Sequence, residues 1–197
     1  MNDDLTHEFV IPTHIPKHVY EDFKIIRQIG KGSYGDVYLA TLGKDGPEKA
    51  LKVINVEDLS GKDKQYFYQE ILTLSSISNT FIVSLFSYSD VCPFCIATDF
   101  SKCGTLYDAI LHKPRAPRLD NTQKTIIAMG IAYGMISVHE HHFIHRDLKS
   151  ANILLDENYL PKISDFGLSI KTDENMIIEQ NAVGTAAWMA PEMFDGT

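Results

Sequence analysis

Cysteine is scarce in this sequence, since only three of the 197 residues are cysteines. A disulfide framework needs paired cysteines in an oxidising compartment, so a stapled secreted domain is not expected. Cys92 and Cys95 form a Cys-x-x-Cys pair, but no second pair lies at the spacing of a zinc site. We therefore expect a reducing compartment and a cytoplasmic location.

Basic charge and long hydrophobic runs are also lacking. The 18 Lys and Arg residues are outnumbered by 26 Asp and Glu residues, which gives a net charge of −8. This balance argues against a nucleic-acid partner, which would require a basic face. Residues 1–4 are acidic where a signal peptide is basic, and no apolar run approaches the ~18 residues of a membrane span. We expect a soluble chain with no membrane segment, and the oligomeric state stays open.

The first hundred residues have the pattern of five strands and one helix. Hydrophobic residues make up 44% of the chain, enough for a packed core. Runs rich in β-branched and aromatic residues predict strands over residues 25–29, 36–41, 50–56, 82–86 and 94–98. Between the third and fourth runs, helical spacing relates Phe67, Ile71, Leu74 and Ile77. The predicted helix carries Glu70 near the same face.

The second half of the chain favours helices. A short helix is predicted from Thr105 to Leu111, and Asp120 is the expected N-cap of a long one. Gly130 and Gly134 lower the helix propensity of the long segment. Its apolar residues recur every three or four positions, at Ile126, Met129, Tyr133 and Ile136.

A glycine-rich stretch joins the first two predicted strands. It comprises Ile29, Gly30, Lys31, Gly32, Ser33, Tyr34 and Gly35. The same Gly-x-Gly-x-x-Gly pattern opens dinucleotide-binding folds, where it runs directly into a helix. Here Gly35 runs into a strand, and a glycine loop between antiparallel strands is the arrangement whose backbone N–H groups cover ATP phosphates. On this motif alone, a plain glycine-rich hairpin is an equal alternative.

A lysine on the third strand and a glutamate on the helix are candidates for an ion pair. Lys52 lies within the strand-like run Ala50–Val56, where an ammonium can reach the α- and β-phosphates of ATP. A half-buried ammonium needs a counter-ion, and Glu70 on the following helix is the obvious candidate. The alternative is an unrelated surface lysine and surface glutamate.

Three short motifs in the second half, taken in order, resemble the protein kinase superfamily. Residues 145–152 read His-Arg-Asp-Leu-Lys-Ser-Ala-Asn, residues 165–167 read Asp-Phe-Gly, and residues 190–192 read Ala-Pro-Glu. The resemblance implies that Asp147 is the catalytic base and that Lys149 steadies the γ-phosphate. It also implies that Asn152 and Asp165 bind Mg²⁺, and that ATP is the co-substrate.

The resemblance further implies an α+β, bilobal fold. Its N-lobe would hold a five-stranded antiparallel sheet and one helix, and its C-lobe would be mainly helical and incomplete at Thr197. Residues 1–22 would form an N-terminal extension and residues 23–197 the kinase domain. Within that domain, the N-lobe would span about 23–98, the hinge about 99–103 and the partial C-lobe about 104–197.

The family pattern also assigns the nucleotide pocket and the packing around it. Val37, Ala50 and Leu154 would sandwich the adenine, with Thr98 at the back of the pocket and Phe100 to Lys102 as the hinge. An apolar column would join the lobes, with His145 as a packing residue rather than a base. Its members would be Leu74, Leu85, His145 and Phe166.

Specificity and regulation are expected to follow the Ser/Thr pattern. Lys149, two residues after Asp147, resembles the Ser/Thr pattern. The run Leu148 to Asn152, together with Trp188 to Glu192, is most similar to the tyrosine-kinase-like group, the relatives of Raf and mixed-lineage kinases. The expected partners are proteins that carry Ser/Thr acceptors. Arg146 suggests control by a phosphate on Ser169 or Thr172.

Two other functions are alternatives to an active kinase. A truncated, non-catalytic nucleotide-binding or regulatory fragment is the main alternative, although Lys52, Asp147 and Asp165 are all intact. A metal hydrolase, suggested by the histidines of residues 139–145, is disfavoured because position 143 is Phe where a zincin needs His.

Overall fold

The computed structural model describes residues 9–32, 35–172 and 183–195. Ser33 and Tyr34 of the predicted phosphate loop lie outside these residues.

Five strands and one helix form the first lobe: β1 (Phe23–Gly32), β2 (Gly35–Leu42), β3 (Glu48–Val53), α1 (Gly61–Ser76), β4 (Leu85–Ser89) and β5 (Cys95–Asp99). The sheet is antiparallel throughout and has the order β1-β2-β3-β5-β4. This confirms the predicted α+β class and the five-stranded sheet.

The fourth strand starts later than the sequence indicated. A strand was predicted over residues 82–86, but β4 begins at Leu85. Ile82 instead forms a parallel bridge with Ile163, and the Val83 N–H donates to the Ile163 carbonyl at 3.0 Å. Both side chains are buried in the core that joins the two halves of the molecule. The apolar character of this run therefore reflects contact with the second lobe rather than sheet pairing.

The second lobe is built from short strands and helices. Its elements are α2 (Leu106–Ile110), α3 (Asn121–Glu140), β6 (Phe143–Ile144), β7 (Ile153–Leu155), β8 (Pro161–Ile163), β9 (Ile170–Lys171) and α4 (Glu192–Asp195). β6 pairs with β9, and β7 pairs with β8. The Asp120 carboxylate accepts a 2.7 Å hydrogen bond from the Gln123 N–H, so the predicted N-cap of α3 is confirmed.

The long helix α3 exists as predicted, but a different face is buried. Ile126, Met129, Tyr133 and Ile136, whose spacing indicated the helix, are all exposed. The buried face instead carries Ile127, Gly130, Gly134, Ser137 and Val138. A β-carbon at Gly130 would lie 2.6 Å from the ring of Pro161, so glycine permits β8 to approach closely.

Among the described residues, α3 included, no helix has the combined length and apolar character needed to cross a bilayer.

Residues 9–22, expected as an extension, pack along the first lobe. The Phe9 ring stacks on Tyr68 of α1 with centroids 5.6 Å apart. Lys17 pairs with Asp90 at 2.6 Å, and the Tyr88 N–H donates to the Pro16 carbonyl. This segment therefore contacts both α1 and β4.

Candidate active site

A cleft of about 810 Å³ lies between the two lobes, a size typical of small-molecule sites. Every site residue predicted above lines this cleft, apart from Ser33 and Tyr34, which lie outside the described residues. Phe100, Ser101 and Lys102 of the predicted hinge also line it. The fold therefore brings together residues that are dispersed along the chain from Ile29 to Asp165.

The hairpin of β1 and β2 contributes the glycine-rich wall of the cleft. A β-carbon at Gly35 would lie 2.2 Å from the Val53 carbonyl oxygen, so any other residue there would collide with β3. A β-carbon at Gly30 would meet only Val37 Cβ at 3.5 Å, an ordinary contact. Glycine is thus required at position 35 by the close approach of two backbones.

Lys52 forms the central ion pair of the cleft. Its ammonium donates to Glu70 Oε2 at 2.7 Å and to Asp165 Oδ1 at 3.2 Å. Burial acts to lower the pKa of Lys52, but the carboxylates of Glu70 and Asp165 outweigh it and raise that pKa above its usual value. The amine therefore stays protonated, and the pairing expected between Lys52 and Glu70 is present.

Asp147 lies buried at the floor of the cleft with both oxygens engaged. Its Oδ2 accepts from Lys149 Nζ at 2.6 Å and from Asn152 Nδ2 at 3.0 Å. Its Oδ1 accepts from Thr185 Oγ1 at 2.6 Å. Burial acts to raise the pKa of Asp147, but these hydrogen bonds and the Lys149 charge outweigh it and hold the pKa below its usual range. The carboxylate is ionised at neutral pH and can accept a hydrogen bond.

Thr185 is a site residue that the sequence reasoning missed. Its hydroxyl bridges Asp147 to Lys149, whose ammonium donates to Thr185 Oγ1 at 2.7 Å. The preceding Gly184 has φ 127°, and a β-carbon there would lie 2.5 Å from the Arg146 carbonyl oxygen. The Gly-Thr pair before Ala-Pro-Glu was the available signal, because the glycine allows the backbone approach that brings the threonine to Asp147.

Asn152 and Asp165 offer the oxygen ligands that a magnesium ion prefers. The Asn152 amide nitrogen donates to the Asp147 carbonyl at 2.8 Å and to its carboxylate, which leaves the amide oxygen as the acceptor. Asp165 has φ 64°, and its side chain is 48% exposed toward the cleft. Two hard oxygen donors suit Mg²⁺, which usually completes its shell with water and substrate phosphates. These residues therefore fit the ion that the motif implies.

His145 is a packing residue, as the sequence suggested. It is 1% exposed, and its ring lies 4.7 Å from that of Phe166. The Asp147 N–H donates to Nδ1, so the proton lies on Nε2, which donates to the Ser164 carbonyl. Burial lowers the pKa of His145, so the ring is neutral. Leu74 and Phe166 share one core cluster with Leu85 packed against it, which is the column expected from the resemblance.

The two candidate phosphorylation sites differ in accessibility. Ser169 is 1% exposed and hydrogen-bonded to Thr73, so it is closed to a kinase in this structure and that part of the prediction is corrected. Thr172, directly after β9, is only partly buried, with its hydroxyl donating to the His142 carbonyl, and stays a prediction. Arg146 Nε donates to the Leu168 carbonyl at 2.7 Å.

The residues of the two apparent metal motifs have different surroundings. Cys92 is exposed whereas Cys95 is buried, and His141 Nδ1 contacts the Ser137 carbonyl of its own helix. Within residues 9–32, 35–172 and 183–195, no three His, Cys, Asp or Glu side chains come together as a metal site.

Comparison with known proteins gives a consistent result. The family described as "Protein kinase domain" matches residues 23–197. Among the curated relatives, serine/threonine-protein kinase STY46 of Arabidopsis thaliana is 35% identical over 175 residues, which is 87% of this chain and 29% of the relative. Cysteine-rich receptor-like protein kinase 27 of the same plant is 35% identical over 184 residues, 87% of the chain and 27% of the relative. Mitogen-activated protein kinase kinase kinase kinase 3 of Homo sapiens is 35% identical over 174 residues, which is 88% of this chain and 19% of the relative. The chain spans less than a third of the length of each of these relatives.

Proposed function

Because the chain belongs to the protein kinase family, we propose that it transfers the γ-phosphate of Mg-ATP to Ser/Thr hydroxyls of protein substrates. One observation carries the proposal. A single cleft holds the ionised Asp147 carboxylate, bonded to Lys149 and Thr185, together with the Lys52 ammonium held by Glu70 and Asp165.

Asp147 would orient the attacking hydroxyl of the substrate. A carboxylate with two occupied oxygens has a fixed orientation, so it can accept the hydroxyl proton along one direction. The substrate oxygen forms a bond to the γ-phosphorus as the bond from that phosphorus to the β-phosphate oxygen breaks. The hydroxyl proton passes to Asp147, and ADP leaves with the electron pair of the broken bond.

Lys149 and Lys52 would stabilise the charge on the phosphates at two points. Lys149 lies 2.6 Å from Asp147, so its ammonium can also reach the phosphoryl group that approaches the hydroxyl. Lys52 would bind the α- and β-phosphates, its position set by Glu70. Mg²⁺, held by Asn152 and Asp165, would neutralise charge on the phosphate oxygens.

The rest of the cleft suits a nucleotide base. Val37, Ala50 and Leu154 supply apolar side chains to the lining and would contact the two faces of the adenine. Thr98 on β5 would lie at the back of this pocket, and Phe100 to Lys102 would offer backbone groups to the adenine edge. The hairpin from Ile29 to Gly35, including Ser33 and Tyr34, would cover the phosphates.

Acceptor type and kinase group are finer parts of the proposal. The Lys149 bond to Asp147 and Thr185 supports Ser/Thr acceptors, because this ammonium stands where the Ser/Thr pattern places it. The run from Leu148 to Asn152, with Trp188 to Glu192, favours the tyrosine-kinase-like group.

A phosphotransfer assay tests the proposal. The chain is incubated with Mg²⁺, γ-labelled ATP and a mixture of Ser/Thr protein substrates, and phosphoamino acids are analysed. Label on serine or threonine is expected for the wild type, with loss of about 10³-fold or more in Asp147→Asn. Asp90→Asn, which removes a partly exposed carboxylate that pairs with Lys17, is the matched control with unchanged transfer.

Two results would contradict the proposal. Equal transfer by the wild type and Asp147→Asn would mean that the label comes from a contaminant. Binding of ATP without any transfer would favour the non-catalytic nucleotide-binding alternative.

A further inference from the structure

Two hydroxyl groups from distant parts of the chain meet in the core beside the cleft. Thr73 lies on α1, and Ser169 lies four residues after Asp165. Thr73 Oγ1 and Ser169 Oγ are 2.8 Å apart, and the two residues are 0% and 1% exposed. Water cannot reach this contact, so the hydroxyls must satisfy each other or nearby carbonyls.

Each of the two hydroxyl groups also has a hydrogen-bond partner within its own segment, so neither needs the other to be paired. Thr73 Oγ1 also lies 2.8 Å from the Gln69 carbonyl, and Ser169 Oγ lies 2.7 Å from the Phe166 carbonyl. Gln69 Nε2 also donates to Thr73 Oγ1 at 3.3 Å, so two hydroxyl protons and one amide proton serve four contacts. If either hydroxyl is removed, the other can still donate to its own local carbonyl. Such a change breaks the connection between the two segments and leaves the remaining hydroxyl paired. Removal of the Thr73 hydroxyl also takes the acceptor from the half-buried Gln69 amide, whereas removal of the Ser169 hydroxyl does not.

Thr73 lies on the same helix as Glu70, the ionic partner of Lys52. Glu70 and Thr73 are three residues apart on α1, so they share one face of the helix. Glu70 holds Lys52, which reaches Asp165, while Thr73 holds Ser169. The helix thus engages the segment 165–169 at two points about 4.5 Å apart along its axis. Phe67 and Ile71 already pack α1 against β4 and β5, and the two polar contacts add a definite position relative to the segment 165–169.

We propose that Thr73 and Ser169 form a hydroxyl clasp that positions α1 relative to the segment containing Asp165. The inference rests on the proposed kinase function and adds two positioning residues to it. The clasp keeps Glu70 and Asp165 at their distances from Lys52 during phosphoryl transfer. Ser169 serves this clasp and is not a modification site.

Matched variants separate a positioning role from a merely structural one. Thr73→Val keeps the shape of the side chain, and Ser169→Ala removes only an oxygen. Each should lower kcat about tenfold while KM for ATP changes by less than about twofold, since adenine binding is untouched. Thr73→Ser should restore kcat. The double variant should be no slower than the slower single variant, because both changes break the same bond.

The control is Ser76→Ala, on the same helix. Ser76 is exposed, and its hydroxyl donates to the Leu72 carbonyl of the same helix, so kcat should stay at the wild-type value. Wild-type kcat in both Thr73→Val and Ser169→Ala overturns the clasp and leaves the proposed function standing. Additive losses in the double variant also overturn it. If Thr73→Val does not fold, Ser169→Ala carries the same kinetic test.

Amide hydrogen exchange tests the clasp without activity. Exchange over residues 165–169 should be at least about threefold faster in Thr73→Val than in Thr73→Ser, because the segment loses its second attachment to α1. If the wild type transfers no phosphate, the proposed function fails and this exchange comparison still decides the clasp. Equal exchange rates in the two variants overturn it.

Discussion

Thr185 Oγ1 donates a 2.6 Å hydrogen bond to Asp147 Oδ1, while Lys149 donates to the other oxygen of the same carboxylate at 2.6 Å. Lys149 also contacts Thr185 Oγ1 at 2.7 Å, so the three side chains form a closed triangle. A triangle of short bonds removes the rotational freedom that an isolated carboxylate would have. The orientation of Asp147 therefore depends on a residue 38 positions away in the chain.

We predict that Thr185→Val lowers kcat by about 10- to 100-fold. The valine keeps the volume of the side chain but leaves Asp147 Oδ1 without its donor, so the carboxylate can rotate away from the substrate hydroxyl. Thr185→Ser keeps the hydroxyl and should stay within about threefold of the wild type. Steady-state kinetics of the three proteins provide the check, and a fully active Thr185→Val protein would show that Lys149 alone is enough.

The pair formed by Lys52 and Glu70 leads to a second prediction. Glu70→Gln keeps the shape of the side chain and removes its charge, so Lys52 retains only Asp165, at 3.2 Å, as an ionic partner. We expect kcat/KM for ATP to fall by about 10- to 100-fold, because the ammonium is no longer held toward the phosphates. Asp90→Asn, at the partly exposed pair with Lys17, is the control and should have no measurable effect. Equal losses in both variants would point to a general charge effect instead of positioning.

The residues of the cleft could be predicted because most lie in short contiguous motifs. Asp147, Lys149 and Asn152 occupy one loop, and their side chains meet within that loop at 2.6 and 3.0 Å. The pairing of Lys52 with Glu70 could be predicted from a strand followed by a helix, provided that the face with Glu70 turns toward the sheet. In these cases local spacing determines which side chains converge.

Contacts that depend on the path of the chain could not be predicted in this way. Thr185 reaches Asp147 only because the segment after residue 182 returns to the loop that carries Asp147, and Ser169 reaches Thr73 across 96 residues. On α3, apolar spacing identified a helix but not its buried face. Close packing against Pro161 selects the face that carries Gly130. Glycine has no side chain, so the hydrophobic pattern of the sequence does not indicate this face.

The same close packing predicts the cost of a small substitution. Gly130→Ala would place a β-carbon 2.6 Å from Pro161 Cγ and 2.9 Å from the ring of Phe81, and the Pro161 ring is fully buried, so it has little room to move aside. Alanine favours helix by about 1 kcal/mol over glycine, but overpacking costs typically 1–3 kcal/mol. We therefore expect no net stabilisation and a loss of up to about 2 kcal/mol in the free energy of unfolding.

Chemical denaturation measures this difference, with Met129→Ala as the control. Met129 is exposed on the same helix, so its truncation should change stability by no more than about 0.5 kcal/mol. A Gly130→Ala protein more stable than the wild type would mean that α3 can move away from β8 at little cost.

The neutral, buried state of His145 makes stability depend on pH. Burial lowers the pKa of His145 in the folded chain, and the nearby carboxylates of Asp165 and Asp147 oppose this shift without reversing it. The unfolded chain therefore takes up a proton at about pH 6.5, before the folded chain does. Below that pH the unfolded state binds more protons, so this contribution to stability is lost as the pH falls.

We predict that the free energy of unfolding of the wild type falls more steeply than that of His145→Phe between pH 7.5 and 5.5. The variant lacks the titrating group, and the difference in slope can reach at most about 1.4 kcal/mol per pH unit, the value for one proton. His145→Phe should be less stable at pH 7.5, because the Ser164 carbonyl and the Asp147 N–H lose their partner. The difference in slope is the decisive quantity, since a loss of packing alone would lower the free energy of unfolding by the same amount at both pH values. Parallel pH profiles would mean that His145 takes up its proton in the folded chain as readily as in the unfolded one.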